Sequence, residues 1–207
     1  MAQVNLNIDE CKDFVNHIIR NNRFLQEGGK NPVAVEIVGE SGIGKTSAVI
    51  DLAKENKLNF VKLNLAQIEE LGDLVGFPVR QFQMYKEKSI AKKIDWNRAD
   101  MRFIQAVMEL VDRQQYISWV LPKDWHIILT SNPDNGDYMV NSIDSAQKTR
   151  YITANLKFDI EVWARWAEEA NIDSRCINFL LLNPELVTQE TNARSITAFF
   201  NAISSFE

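Results

Sequence analysis

The sequence predicts an α/β protein: a parallel sheet flanked by helices over residues 1–157, then a small all-helical unit over 158–207. Three observations carry this. Short apolar runs of strand character alternate with segments of helical spacing through the first part of the chain. A glycine-rich turn, "GESGIGKT", stands between one such run and the helix after it. From Ile160 onward the periodicity is helical alone, and that change sets the boundary.

Taken in order, Cys11, Phe14, Val15, Ile18 and Ile19 recur at helical spacing, which predicts an amphipathic helix over Asp9 to Arg20 with Asp9 as its cap. After the turn signal "EGGKNP", the run Val33 to Gly39 is short, β-branched and bounded by Pro32, as a buried parallel strand is. A helix from Lys45 to about Glu55 and a strand from Asn59 to Leu65 complete a strand-helix-strand unit. Asp100 to Arg113 reads as a helix with Ile104, Val107, Met108 and Val111 on one face. His126 to Asn132 reads as another buried strand and Tyr151 to Leu156 as the last. Three helical segments follow, "IEVWARWAEEAN", "SRCINFLLL" and "ARSITAFFNAISSF", parted by Asp173 and by Pro184 with its polar neighbours. Trp163 and Trp166 are expected to pack inside this helical unit.

A chain of 207 residues with 45% hydrophobic content can bury a substantial core. No stretch approaches the roughly 18 consecutive apolar residues of a membrane span. The start "MAQVNLNIDE" lacks the basic and apolar regions of a signal peptide, so a cytoplasmic location is expected. Cys11 and Cys176 stand far apart with no metal-ligand spacing, which predicts free buried thiols. The net charge of −5 and pI near 5.2 argue against a surface built mainly to grip nucleic acid. Lys86, Lys88, Lys92 and Lys93 form a basic cluster that reads as a solvated loop.

Gly39 to Thr46 fits G-x-x-x-x-G-K-[ST] in the strand-to-helix context that the motif requires. Glycines 39, 42 and 44 let the backbone curl so that its N–H groups face an anion, and the helix N-terminus adds positive potential. The expected nucleotide-binding stretch is Gly39, Glu40, Ser41, Gly42, Ile43, Gly44, Lys45, Thr46 and Ser47. In it Lys45 reaches the β- and γ-phosphates of ATP and Thr46 ligates Mg²⁺.

The segments "IDWNRADMRFIQAVMELVDRQ" and "LPKDWHIILTSNPDNGDY" resemble the MoxR branch of AAA+ ATPases, which includes the dynein-related and midasin-like domains. The resemblance implies a P-loop AAA+ core with a helical lid, ATP hydrolysis with Mg²⁺, a homo-hexameric ring and a protein client. On the family pattern, Asp95 falls at the catalytic acid, followed by Trp96, Asn97, Arg98 and Ala99, and with Thr46 it is the candidate Mg²⁺ ligand. Asn132 falls at the polar sensor, and Arg150 at the finger that reaches a neighbour's nucleotide, with Lys148 as its rival. Arg194 falls at the lid arginine that reaches back to the γ-phosphate. Phe77, in "GDLVGFP", falls in the family's insert toward the ring pore, though a core aromatic fits it better.

One position departs from the pattern. Ile94 stands where the Mg²⁺-linked aspartate belongs, and "VRQFQMYKEKSIAKKI" before Asp95 has no apolar run of strand type. The expectation is therefore a longer natural insert here, or another segment in the central place of the sheet. A continuous strand from Ser89 to Ile94 would point instead to an ATPase that binds without hydrolysing, a nucleotide-gated scaffold. A DNA-acting AAA+ protein is a further alternative, weakened by the acidic balance.

Overall fold

The structure, a computed structural model, describes residues 4–64, 90–95, 101–116, 119–133 and 150–204. Its centre is a parallel sheet of six strands: β1 (Asn5–Leu6), β2 (Ala34–Val38), β3 (Asn59–Asn64), β4 (Ile90–Asp95), β7 (His126–Ser131) and β8 (Tyr151–Leu156). Their spatial order is β1-β8-β2-β7-β4-β3. An antiparallel pair, β5 (Gln115–Tyr116) and β6 (Trp119–Val120), stands apart as the hairpin before Leu121 and Pro122. The helices are α1 (Ile8–Glu27), α2 (Lys45–Glu55), α3 (Met101–Arg113), α4 (Ile160–Glu169), α5 (Ser174–Leu182) and α6 (Ala193–Ile203).

Helix α1 begins earlier and runs longer than expected. Asn7, not Asp9, is its cap: the Asn7 side chain accepts from the Glu10 N–H at 3.0 Å, and Glu10 returns the bond to the Asn7 N–H at 2.9 Å. This reciprocal capping box satisfies two otherwise orphaned donors. Asp9, in the first turn, is left to pair with Arg165 of α4 at 2.7 Å. Farther along, buried Asn22 donates to the Val33 carbonyl and accepts from the Val33 N–H, both at 2.8 Å. Those two bonds pin α1 to the entry of β2 and thereby fix where the glycine-rich loop begins.

Val35 and Ile37 of β2, Ile128 and Leu156 form one face of the sheet, closed by Cys11, Val15, Ile18 and Ile19 of α1 and by Val49 and Leu52 of α2. Burial raises the Cys11 thiol to about 11, so it behaves as a small apolar group. Cys176, expected buried, is half-buried. Val107, Met108, Leu110 and Val111 of α3 are also buried, and every residue of β7 is. A second apolar cluster joins Trp163, Ala167, Ile177, Leu180, Ala193, Ile196 and Phe200 of the C-terminal helices. Phe158 packs against both clusters.

One expectation, that another segment fills the central place of the sheet, is corrected, while the expected insert falls on residues 79–89, outside the described residues. Ile90–Asp95 forms β4, paired along its length with β3 and with β7, so no other segment takes that place. A strand inside a sheet is held by backbone bonds to both neighbours, and leaving the slot open would orphan the N–H and C=O groups of β7. That demand outweighs the missing apolar run. Lys92 and Lys93, read as part of a solvated loop, lie within this strand. Lys86, Lys88 and Phe77 lie outside the described residues.

His126 opens β7 at 3% exposure, and neither ring nitrogen has a hydrogen-bond partner among the described residues. Burial, reinforced by the Arg23 cation and opposed by Asp124, lowers its pKa from 6.5 to about 4. The unfolded chain takes up this proton near the ordinary histidine value, while the folded chain resists it until the lower one. The contribution is thus complete above pH 6.5 and lost as pH falls toward about 4. The unfolding free energy from urea titration is expected to fall across that window, by about 3 kcal/mol at most from this group. A His126→Phe variant should flatten part of the fall, and superimposable profiles would contradict the assignment.

Candidate functional site

The site forms at the carboxyl ends of β2 and β7, where open α/β sheets place their ligands. Beyond Val38, the Gly39 N–H donates to the Ser131 carbonyl at 3.2 Å, so the loop leaves the sheet still tied to β7. A Cβ at Gly39 would stand 2.7 Å from both Ile43 Cδ1 and the Leu156 carbonyl oxygen, which excludes any larger residue. Gly42 and Gly44 have φ of +80° and +94°, the left-handed region that favours glycine. Gly44 also occupies the N-cap of α2 and supplies no side-chain cap, which suits first-turn N–H groups reserved for an anion. Thr46 is half-buried in that first turn and Ser47 is exposed.

Lys45 is folded back over the loop. Its Nζ donates to the Gly39 carbonyl at 2.5 Å, the Glu40 carbonyl at 2.7 Å and Asn132 Oδ1 at 3.0 Å. Two residues that the sequence nominates separately, 87 positions apart, therefore meet at the mouth of the loop. The ammonium sits among three oxygen acceptors, and a phosphate offers the same chemistry with more charge.

Arg194 lies in the first turn of α6, exposed, on the wall of a cleft of about 790 Å³. That cleft runs from Gly42, Ile43 and Gly44 along Ser47, Ala48 and Asp51 of α2 to Trp163, Trp166 and Thr197 of the C-terminal helices. Its far wall includes Ile8 and Asp9 of α1. Charged side chains of both signs, among them Lys12, Lys54, Glu55 and Arg165, line it beside apolar Ile8, Ile43 and Val162, and its size suits a nucleotide-sized ligand. Trp163 is buried as expected, but Trp166 is 44% exposed and faces the cleft rather than packing inside.

Asp95 closes β4, level with Thr130 of β7 and Asn64 of β3. Its strand end therefore lies on the same edge of the sheet as Gly39 and Asn132. Asn97, Arg98, Ala99 and Lys148 lie outside the described residues. Arg150 is elsewhere. It precedes Tyr151, which pairs with Ala34 at the start of β2, so it stands at the opposite edge of the sheet. At about 3.3 Å per residue the length of β2 puts it roughly 15 Å from its own loop. Its Nε lies 3.6 Å from Asp112 Oδ2, and its side chain is 37% exposed.

The chain's residues thus fit a nucleotide with a divalent cation: a glycine-shaped anion cradle, a lysine over it, a threonine at the helix start and an acid at a neighbouring strand end. Among the described residues no cluster of three or more His, Cys, Asp or Glu could hold a metal by itself.

Sequence reasoning missed two residues here. Glu36, buried at the centre of β2, accepts from Ser131 Oγ at 2.8 Å and Thr153 Oγ1 at 3.1 Å, tying β7, β2 and β8 together. An acid inside an apolar run of strand type was its only signal. Asn192, the cap of α6, rests against Gly42, and nothing in the local sequence reports so distant a contact.

No protein-family model matches the chain, and no curated protein sequence does. Solved structures do. A proline-to-glycine mutant of Thermotoga maritima RuvB superposes with a TM-score of 0.62 at 14% identity, over 96% of this chain and 64% of that one. A lysine-to-arginine mutant of the same protein gives 0.63 at 14% identity, over 96% and 64%. A third structure, described as the Thermotoga maritima RuvB Holliday junction branch migration motor, gives 0.54 at 14% identity, over 97% and 72%. The chain spans 64% of the length of the first of these. These superpositions give this chain the fold of RuvB, which here is a parallel sheet flanked by helices.

Proposed function

We propose that the chain binds ATP with Mg²⁺ in this cleft and hydrolyses it as a subunit of a ring, hexameric and of MoxR type, that remodels or assembles a protein partner. The observation that carries this reading is the meeting of Lys45, the glycine-shaped loop and Asn132 at one edge of the sheet. In it residues 1–157 are the nucleotide-binding core, 158–207 the lid, and the location is cytoplasmic. Among the described residues no helix is long and apolar enough to cross a membrane.

Lys45 and the loop N–H groups hold the phosphates. Asn132 orients the attacking water, and Asp95 takes its proton. Mg²⁺, ligated by Thr46 and Asp95, would supply charge neutralisation at the phosphates. Arg194 faces the γ-phosphate from the lid, and Arg150 serves the adjoining subunit.

A second reading has one observation in its favour. Strand β4 is paired within the sheet with Ile94 at its penultimate place, so an apolar residue stands where the Mg²⁺-linked acid belongs. A nucleotide-gated scaffold follows if Asp95 alone does not suffice. Steady-state phosphate release, measured on the parent chain and on Asp95→Asn, separates the two. Turnover abolished by the substitution supports the hydrolase, and tight ATP binding without turnover in the parent supports the scaffold. RuvB acts, by its description, on Holliday junctions. A salt-dependent DNA-binding measurement tests that action for this acidic chain.

A further inference from the structure

We infer that Asn192 is a positioning residue that seats the lid helix α6 on the phosphate loop, and that it is an amide because a carboxylate there would repel the phosphates. The inference rests on the nucleotide-binding reading. Asn192 Oδ1 accepts from the N–H groups of Arg194 at 3.1 Å and Ser195 at 3.2 Å, so it caps α6. The same carboxamide lies on Gly42: a Cβ at that glycine would fall within 2.6 Å of Asn192 Cγ and closer still to its Oδ1. Nearby, Gln189 Nε2 donates to Glu40 Oε2 at 3.3 Å. The segment leading into α6 therefore touches the glycine loop at Glu40 and at Gly42.

This seam has two consequences. It points the first turn of α6, with Arg194 and the positive end of its dipole, toward the loop that α2 already addresses with its own N-terminus. It also restricts the cap. For a helix alone Asp, Asn and Ser are comparable caps, and Asp gains further from the dipole. The other two lid helices use Asp159 and Asp173. At Asn192 a carboxylate would stand against the phosphate-binding backbone, where its helix-capping merit turns into repulsion of the nucleotide.

The test compares Asn192→Asp and Asn192→Ser with the parent full-length chain. Thermal midpoints without nucleotide and equilibrium affinities for ATP and ADP are measured at low and high salt. Asn192→Asp is expected to keep the parent's midpoint yet bind ATP about tenfold more weakly, a deficit that salt reduces. ADP, with one charge fewer, should lose less. Asn192→Ser, a neutral cap, should stay within about threefold of the parent. Equal ATP affinity in the Asp and Ser variants overturns the inference. If Asn192→Asp itself lowers the midpoint, Gln189→Glu carries the test from an exposed position on the same seam. Weaker ATP binding there supports the seam, and unchanged binding overturns it. A parent chain that binds neither nucleotide sinks the nucleotide reading itself, whereas a parent that binds alongside an unaffected Asn192→Asp sinks only the role of Asn192.

Discussion

Replacing Arg150 with alanine is expected to lower steady-state ATP turnover about 10³-fold or more while each chain still binds ATP. The reason is its place in the sheet. Arg150 stands at the foot of β8, beside the start of β2, whereas the glycine loop follows the end of β2. No arginine side chain spans that distance, so in the proposed ring Arg150 reaches a neighbour's nucleotide and not its own. Mixing subunits tests the geometry. A Lys45→Ala chain, which keeps Arg150, should restore turnover to Arg150→Ala chains, which keep the loop. The rival account is a surface ion pair with Asp112, whose exposed geometry contributes at most about 1 kcal/mol. Under that account Arg150→Ala and Asp112→Asn would both leave turnover unchanged.

Lys45→Ala is expected to weaken ATP binding by about 100-fold, the scale of roughly 3 kcal/mol for charge-assisted hydrogen bonds to phosphate. Stability should change little. Of the three acceptors that the ammonium now contacts, Glu40 and Asn132 are half-buried, where water can replace it, and Gly39 is buried. Asn132→Ala should separate binding from chemistry: affinity close to the parent, with turnover reduced by the loss of a water-orienting group. Titration with a fluorescent ATP analogue, paired with phosphate release, measures both variants. Parent-like affinity in Lys45→Ala would remove the loop from the binding site.

Much of this was legible in the residues. The bounds of α2 and β8 follow the reading residue for residue, because a glycine turn opens the first and strand-type composition delimits the second. The glycine loop was legible because its left-handed backbone at Gly42 and Gly44 fixes both composition and spacing. Strand β4 was not, since "IAKKID" takes its place through backbone pairing on two sides and carries no apolar signature. The start of α1 was misplaced by two residues because Asn7 and Asp9 are both good caps, and only Asn7 completes the exchange with Glu10. Contacts across the fold, such as Asn192 on Gly42 or Ser131 on Glu36, depend on topology and leave no local trace.

In the proposed function one nucleotide occupies the cleft between the glycine loop and the C-terminal helices of each chain. Calorimetric titration of the parent chain with ATP and Mg²⁺ tests it most directly, with Lys45→Ala run alongside. Saturable binding of one ATP per chain is expected, with loss of that binding in the variant at the same concentrations. No binding by the parent, or equal binding by the variant, would contradict it.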